Sequence, residues 1–360
     1  MKLTAQIKHL QNAKHTNALK KTLEAFNAAC NEISATAWKK KILSQYPLHK
    51  IVYLHIKNKF NLSAQAVVRA IGKVADAYKL DRKTVRVFRK HGAMTYDSRI
   101  LSYNFEKKIV SIWTINGRLK IPFVCGEHQM KLLQHQRGES DLVLAKSGFY
   151  LLATCDIEEP PTKNVDGFLG IDLGIVNLTT DSTGESFSGE LVETKRKKFQ
   201  HLRDKLQSKG TKGCKRKLKR LSGKQKRFQK HTNHVISKKI VQKAKDTDKA
   251  IAMENLKGIR KTATVRKSQR SRHSNWAFYQ LKSFIAYKAQ LAGIPVIEVN
   301  PRNTSKTCSR CGHCEKPNRK NQSEFVCRSC GYSVNADFNA ALNIAARAAV
   351  NQPNFAGVIS

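Results

Sequence analysis

Residues 170–178 read Gly170-Ile171-Asp172-Leu173-Gly174-Ile175-Val176-Asn177-Leu178, and this stretch decides how the rest of the chain is interpreted. An apolar strand carries one carboxylate, Asp172, in its middle, and the polar turn Asp181-Ser182-Thr183-Gly184 follows soon after. A charged side chain in a strand otherwise suited to burial is costly unless a partner neutralises it. Because a divalent metal ion is the usual partner, the sequence should supply further ligands and a substrate that needs such a metal.

The charge of the chain indicates what that substrate is. Its 360 residues contain 67 Lys and Arg against 26 Asp and Glu, a formal net charge of +41 at pH 7. An excess of this size needs a polyanion, and nucleic acid is the commonest one, with a membrane surface or a ribosomal environment as alternatives. The sequence has neither a signal peptide nor an apolar run of about 18 residues, so we expect a cytoplasmic, nucleoid-associated protein that does not bind membranes.

The first 160 residues are predicted to form a helical unit and a β unit without catalytic residues. A short strand at 3–7 precedes two helices, the second of which begins at the N-cap Ser63. Four β-like runs follow, at 85–88, 109–113, 119–121 and 149–152. Asn116-Gly117 predicts a hairpin turn with positive φ at both positions, and Ser147-Gly148 predicts another hairpin. The segment 158–161, with its double proline, marks a linker.

Residues 195–245 contain 21 Lys or Arg and a single acid, Asp204. Apolar residues recur at helical spacing on both sides of Gly210 and Gly213, which predicts two antiparallel helices, apolar on one side and cationic on the other. A solvated face is the plain alternative, but charge this one-sided favours binding to a nucleic-acid backbone. For His231 and His234 we prefer a phosphate contact or simple packing. The candidate phosphate contacts are Lys215, Arg216, Lys219, Arg220, Lys226 and Arg227.

Two further acids lie at the ends of regular elements. Glu254 ends the apolar run 251–254, although a glutamate at the end of a strand can also simply face solvent. Ser274 is predicted to cap a helix that stops at Gly293, and a strand follows at 294–299, so this half of the chain is α/β. Asp337 lies in the first turn of a helix that Asn335 caps, where it either complements the helix dipole or binds metal.

Five cysteines crowd into a short segment near the C-terminus. Two CxxCG knuckles with 15 residues between them are typical of a structural zinc ribbon. Cys314 competes for the metal, and we exclude it because the symmetrical pair uses Cys308 and Cys311. Four thiolates leave no position open for water, so the zinc would be structural. The predicted zinc ligands are Cys308, Cys311, Cys327 and Cys330.

Asp172, Glu254 and Asp337 together predict a nuclease-type metal site. Two-metal phosphodiester hydrolysis needs carboxylates that converge on two divalent ions. Mg²⁺ suits such a site because it takes few protein ligands, and Mn²⁺ is the alternative. Asp181 and Glu298 are the substitutes if one of the three assignments is wrong.

The motifs resemble those of a known family. GIDLGI around Asp172, MENLKG around Glu254, and CSRCG and CRSCG running into NADFNAALNI around Asp337 are similar to the three RuvC motifs and the inserted zinc finger of the TnpB proteins. These are transposon-encoded RNA-guided DNA endonucleases related to the type V CRISPR effectors. The resemblance is specific over residues 168–347, whereas the N-terminal half matches only in layout.

This resemblance implies a multidomain α/β protein. An RNase H-like (RuvC) nuclease domain would cover 165–305 and 333–350, with a basic helical insert at 190–247, a zinc ribbon at 306–332 and a tail at 351–360. A β-barrel wedge domain would cover 1–10 and 84–160, and a helical recognition domain would cover 11–83.

The implied activity is metal-dependent cleavage of double-stranded DNA beside a short adjacent motif. A guide RNA from the transposon end would pair with one DNA strand, with the protein bound to it as a monomer. Asp172, Glu254 and Asp337 would be the catalytic Mg²⁺ ligands. Two alternatives are an RNA-guided DNA-binding regulator that does not cut and an RNase H-like DNA-strand transferase. A zinc-ribbon binding module without activity leaves Asp172 and Glu254 unexplained.

Overall fold

The computed structural model describes residues 1–10, 12–256, 278–321 and 323–351. The chain divides into two compact units, Met1–Glu158 and Glu159–Ser360. The boundary falls within the segment 158–161 that the sequence predicts as a linker. Within the described ranges, no helix is both long enough and apolar enough to cross a membrane.

The first unit combines helices with one curved sheet. Its helices are α1 (Ala13–Lys40), α2 (Gln45–Phe60), α3 (Ala64–Leu80) and α4 (Glu127–Leu133). Its strands are β1 (Lys2–His9), β2 (Met94–Tyr96), β3 (Leu101–Asn104), β4 (Ile109–Thr114), β5 (Gly117–Val124), β6 (Gln136–Ala145) and β7 (Gly148–Asp156). The sheet is antiparallel, in the order β2-β6-β7-β1-β5-β4-β3. The Tyr103 hydroxyl on β3 donates to Ser140 Oγ on β6 at 2.9 Å, so the sheet is nearly closed.

Several predictions for this unit are confirmed. The strand predicted at 3–7 is β1, which lies in the centre of the sheet. Ser63 caps α3, because its Oγ accepts a hydrogen bond from the backbone N–H of Ala66 at 3.3 Å. The helix α2 was not among the predicted elements. Its apolar signal is weak because only three of its side chains, Leu48, Val52 and Ile56, are buried.

The prediction of a strand at 85–88 is wrong. These residues belong to none of the helices and strands in the described part of the chain. The Asn31 amide takes the place of a strand partner: it donates to Phe88 O at 3.0 Å and accepts from Phe88 N at 2.7 Å. Ser34 Oγ likewise donates to Arg86 O at 2.7 Å. Side chains of α1 therefore form the backbone hydrogen bonds that a neighbouring strand would form in a sheet.

Both predicted hairpins are present, with each turn one residue earlier than predicted. Thr114 pairs with Gly117, so Ile115 and Asn116 form the turn between β4 and β5. Gly117 has φ of +97° whereas Asn116 does not have positive φ, so the prediction for Asn116 is wrong. In the hairpin of β6 and β7, Gly148 has φ of +117°. A glycine after the turn, rather than inside it, supplies the left-handed backbone.

The second unit is built on a five-stranded mixed sheet. Its helices are α5 (Glu190–Lys209), α6 (Lys212–Asp246), α7 (Phe278–Leu291) and α8 (Ala336–Asn351). Its strands are β8 (Phe168–Asp172), β9 (Asn177–Asp181), β10 (Ser186–Ser188), β11 (Ala250–Glu254), β12 (Val296–Val299), β13 (Glu324–Val326) and β14 (Ser333–Asn335). The sheet order is β10-β9-β8-β11-β12, in which β8, β11 and β12 are parallel. The strands β13 and β14 form a separate two-stranded sheet. The predicted helix cap Ser274 lies outside the described residues.

The two faces of this mixed sheet are covered by different helices. Ile171 and Met253 pack with residues of α6 and α7. Ala252 packs with Ile344 of α8, and Gly170 lies against the backbone of α8. Side chains alternate between faces along a strand. The residues that follow Ile171 and Met253 therefore point toward the α8 side.

Gly170 allows α8 to approach the sheet closely. A Cβ atom at this position would lie 2.1 Å from Ala341 O and 2.7 Å from Ala345 N. We expect Gly170→Ala to destabilise the second unit by about 1–3 kcal/mol or more, because helix backbone must move to make room. Thermal unfolding measures this effect. Gly213→Ala is the control, since an added Cβ there has 3.9 Å to its nearest neighbour, Thr211 Oγ1. Equal melting temperatures for the Gly170 variant and the wild type would contradict the packing described.

Candidate active site

The three predicted acids lie around one cavity. Gly170 pairs with Ala252 and Ile171 with Met253, so Asp172 and Glu254 are the next residues along these parallel strands, at the end of β8 and of β11. Both point toward α8, whose first turn carries Asp337. A cavity of about 270 Å³ is lined by all three residues. The sequence-based prediction that these acids belong together agrees with their placement, and their catalytic role stays a prediction.

Asp337 is held by hydrogen bonds from three directions. Asn335 caps α8 as predicted, since its Oδ1 accepts from the backbone N–H of Asp337 at 2.9 Å. The Asp337 carboxylate accepts from Asn177 Nδ2 at 3.1 Å and from Arg319 Nη2 at 3.4 Å. Asn177 lies in the stretch 170–178, only five residues after Asp172. The motif around Asp172 thus also orients the acid of α8.

The cavity concentrates negative charge. Burial, together with the nearby carboxylates of Glu254 and Asp337, raises the pKa of Asp172 to about 7. Burial also raises the pKa of Glu254, against the opposing effect of a hydrogen bond from Thr304. Neighbouring carboxylates with raised pKa values are difficult to ionise at the same time. A cation bound between them stabilises their ionised forms. Oxygen ligands of this kind fit a hard divalent cation such as Mg²⁺ or Mn²⁺.

Two further residues of this cavity were not predicted. Arg319, from the cysteine-rich segment, lines the cavity, and its charge lowers the pKa of both Asp172 and Glu254. Thr304 lines it as well, and its hydroxyl donates to the carboxylate of Glu254. Arg319 lies in a strongly basic chain and Thr304 in a polar loop, so neither stands out in the sequence. Only the fold places them beside the acids.

The two substitute acids lie on the opposite face of the sheet. Asp181 pairs with Ile171 and Glu298 pairs with Met253, so each shares the face that packs on α6 and α7. Asp181 forms an ion pair with Lys243 at 2.5 Å. Glu298 forms one with Lys282 at 3.0 Å. The structure does not bring either acid to the cavity.

The cysteine cluster forms as predicted. The Sγ atoms of Cys308, Cys311, Cys327 and Cys330 all lie within 4.8 Å of one another. The distance from Cys311 Sγ to Cys327 Sγ is 3.5 Å, and that from Cys308 Sγ to Cys330 Sγ is 3.8 Å. Zinc bound tetrahedrally at about 2.3 Å places its sulfur ligands about 3.8 Å apart. The four thiols therefore fit a zinc ion, and the exclusion of Cys314 agrees with the cluster.

Two matching turns shape this cluster. The backbone N–H of Gly312 donates to Cys308 O at 2.9 Å, and that of Gly331 donates to Cys327 O at 3.1 Å. Both glycines have positive φ, +77° and +68°. The first turn is tied to α8, because the backbone N–H of Ser309 donates to Asn339 Oδ1 at 3.0 Å. The cluster is thus anchored to the helix that carries Asp337.

The basic segment forms the predicted helical hairpin, α5 and α6. All six candidate phosphate contacts are exposed on α6, where they fall on two adjacent stripes of the helix. The apolar side is only partly covered, since Leu202 and Val235 remain 46% and 42% exposed. His234 is a packed histidine, one of the two roles predicted for it, because its ring stacks on Phe284 at 4.0 Å between centroids.

Comparison with known proteins identifies the family. Residues 278–344 match the Cas12f1-like TNB domain, and residues 152–262 match the family OrfB_IS605, described as a probable transposase. The TnpB-like protein MJ0751 of Methanocaldococcus jannaschii is 30% identical over 242 residues, which cover 67% of this chain and 82% of that protein. This chain belongs to the TnpB-like family.

Relatives of this TnpB-like chain include longer proteins. The CRISPR-associated endodeoxyribonuclease Cas12f1 of Sulfoacidibacillus thermotolerans is 34% identical over 265 residues, 67% of this chain. The matched region spans only 60% of the length of that relative. A cryo-EM structure of a Cas12f1-sgRNA-target DNA complex matches with a TM-score of 0.62 and 17% identity, over 91% of this chain and 82% of that chain. The TnpB-like chain thus shares the multidomain α/β fold of Cas12f1.

Proposed function

We propose that this chain is an RNA-guided DNA endonuclease, encoded by a transposon, that cuts double-stranded DNA beside a short adjacent motif. The observation that carries the proposal is the set of three carboxylates, from three separate elements, around one cavity. Membership of the TnpB-like family and the endodeoxyribonuclease named among its relatives support it. The net charge of +41 suits a protein that holds both RNA and DNA.

We infer that Asp172, Glu254 and Asp337 hold two Mg²⁺ ions, with Mn²⁺ as the alternative. Such ions, when bound, activate water and stabilise the leaving oxygen of a phosphodiester. The protein groups around them have distinct tasks. Asn177 orients the carboxylate of Asp337. The guanidinium of Arg319 lines the same cavity, where it can donate to a phosphate oxygen of the substrate.

The finer fold assignment is part of the same proposal. We assign the mixed sheet with α8 to an RNase H-like (RuvC) nuclease domain at 165–305 and 333–350, into which the zinc ribbon 306–332 is inserted. One structural Zn²⁺ would be held by the four-cysteine cluster. The nearly closed sheet would be the wedge domain at 1–10 and 84–160, and α1 to α3 would form the recognition domain at 11–83. The observed bounds of the helices and strands support these ranges, except that β13 pairs with β14, so the two-stranded sheet crosses the bound between 332 and 333.

The cationic face of α6 is proposed to bind the nucleic-acid backbone. Removal of one phosphate-binding side chain should reduce the slope of log affinity against log salt by about 0.7–0.9. We expect replacement of all six candidate residues by Gln to reduce the slope for RNA by about 4–5. Filter binding over a range of KCl concentrations measures it. A variant in which each Lys of the six becomes Arg and each Arg becomes Lys keeps the charge and should keep the slope. An unchanged slope in the Gln variant would mean that the RNA binds elsewhere.

The identity of the RNA is the most informative observation for this function. We expect the protein, expressed with its native flanking DNA, to copurify with a discrete RNA from the transposon end that terminates in a variable segment. Sequencing of the bound RNA measures this directly. Random cellular RNA, in place of one discrete species, would contradict the guide-based function. We expect one protein chain per RNA and association with nucleoid DNA.

A DNA-strand transferase is the second candidate, because residues 152–262 match a family described as a probable transposase. Such an enzyme would use the same carboxylates to join strands as well as to cut them. A strand-transfer assay separates the two, since joined products appear only with a transferase. A regulator that does not cut is less compatible with three acids gathered around one cavity.

A further inference from the structure

The position of the Glu254 carboxylate in the cavity depends on contacts with other residues. Glu254 follows the last buried residues of β11, and its three rotatable bonds allow many positions. Its charge adds to that of Asp172, whose pKa it helps to raise. The charges of Arg347 and Arg319 attract the Glu254 carboxylate, but attraction at a distance does not select one side-chain conformation, whereas a hydrogen bond does.

We propose that Thr304 is a positioning residue that holds the Glu254 carboxylate in the cavity. Thr304 lies in the loop after β12, is only 3% exposed, and donates its hydroxyl hydrogen to Glu254 Oε1. This inference rests on the proposed function, because it concerns the metal site of the same three acids. Thr304 acts through Glu254, the residue proposed to bind the metal.

A second acceptor competes for the same hydroxyl. Pro301 O lies 3.1 Å from Thr304 Oγ1, and a threonine hydroxyl has a single hydrogen to donate. A carboxylate is the stronger acceptor, since charge-assisted hydrogen bonds are about twice as strong as neutral ones. The hydroxyl therefore bonds to Glu254. If it served only the loop, its bond would go to Pro301 instead.

The helix α8 fixes the position of Thr304. The buried amide of Asn343 donates from Nδ2 to Thr304 O at 2.9 Å and to Thr307 O at 2.7 Å. Asn343 lies on the helix that also carries Asp337. The helix α8 thus carries Asp337 and also fixes the position of Glu254, through Asn343 and Thr304. The distance between the two acids therefore depends on the position of this one helix.

Mn²⁺ binding to the nucleic-acid-free full chain, followed by electron paramagnetic resonance, tests the proposal apart from catalysis. We expect Thr304→Val to weaken Mn²⁺ binding by about 10- to 100-fold, the usual cost of losing a group that orients a metal ligand. Thr304→Ser keeps the hydroxyl and should bind Mn²⁺ as the wild type does. The matched control is Thr307→Val, because Thr307 Oγ1 lies in the same loop and donates at 2.9 Å to Asn303 O, a backbone carbonyl rather than a carboxylate.

The outcomes separate this inference from the proposed function. If Thr304→Val lowers the melting temperature but binds Mn²⁺ normally, Thr304 supports only the loop and the inference is wrong. If Thr304→Val does not fold, Thr304→Ala and Thr304→Ser replace it, and equal Mn²⁺ affinity in these two rejects the inference. If Asp172→Asn also leaves Mn²⁺ binding unchanged, the metal site of the proposed function itself is wrong.

Discussion

Replacement of Asp172 by Asn is expected to reduce DNA cleavage by the RNA-loaded protein by about 10³-fold or more, while RNA binding persists. Metal ions contribute several kcal/mol of transition-state stabilisation in such sites, and each 1.36 kcal/mol corresponds to about tenfold in rate. The amide removes a charge from the centre of the proposed site but keeps the shape of the side chain. Single-turnover cleavage of a matched DNA, with RNA affinity measured in parallel, checks the prediction.

The matched control is Glu298→Gln. Glu298 is also an acid on a strand of the mixed sheet, but it lies on the α6 and α7 side and pairs with Lys282. Its loss should leave the cleavage rate close to that of the wild type. Normal cleavage by the Asp172 variant would reject the assignment of the acids. A strong loss of DNA cleavage in the Glu298 variant instead would place the active site on the opposite face of the sheet.

Replacement of Cys308 by Ser is expected to remove most of the zinc, from about one ion per chain, and to unfold the ribbon. Cys308 is buried among the clustered thiols, and its turn is held to α8 through Ser309. Since Arg319 reaches Asp337 from the same segment, DNA cleavage should fall as well. Metal analysis and thermal unfolding of the purified protein measure the loss of zinc and the loss of stability.

Cys314→Ser is the control for this second prediction. Cys314 is exposed and is not a member of the four-thiol cluster. We expect its variant to keep both the zinc and the melting temperature of the wild type. A Cys308 variant with full zinc and full stability would contradict the ligand set. Loss of zinc from the Cys314 variant would show that Cys314 replaces one of the four.

The sequence predicts the three acids and the four clustered cysteines better than the other residues that contact them. Asp172 and Glu254 end short apolar strands, and parallel strands with this pattern bring such residues to one edge of a sheet. The cysteine knuckles are similarly readable, because their spacing fixes the turn that presents the thiols. In both cases the placement of each residue within its own strand or turn follows from neighbours close in sequence.

The errors come from contacts between residues distant in sequence. Residues 85–88 alternate like a strand, but the side chain of Asn31 satisfies the backbone of Phe88. Arg319 and Thr304 reach the cavity only because the ribbon and the loop after β12 both pack on α8. Local patterns carry no information about such long-range placement. The separation of Asp181 and Glu298 from the site likewise follows from strand register, which the sequence alone leaves open.

Cleavage directed by a changed guide tests the central claim most directly. The variable end of the copurified RNA would be replaced by a chosen sequence, and the purified complex would be given a plasmid that carries the matching target, with Mg²⁺. The proposed function predicts cleavage at the new site only, and none with the Asp172→Asn protein. Cleavage that ignores the RNA sequence, or that persists in the Asp172→Asn protein, would contradict it.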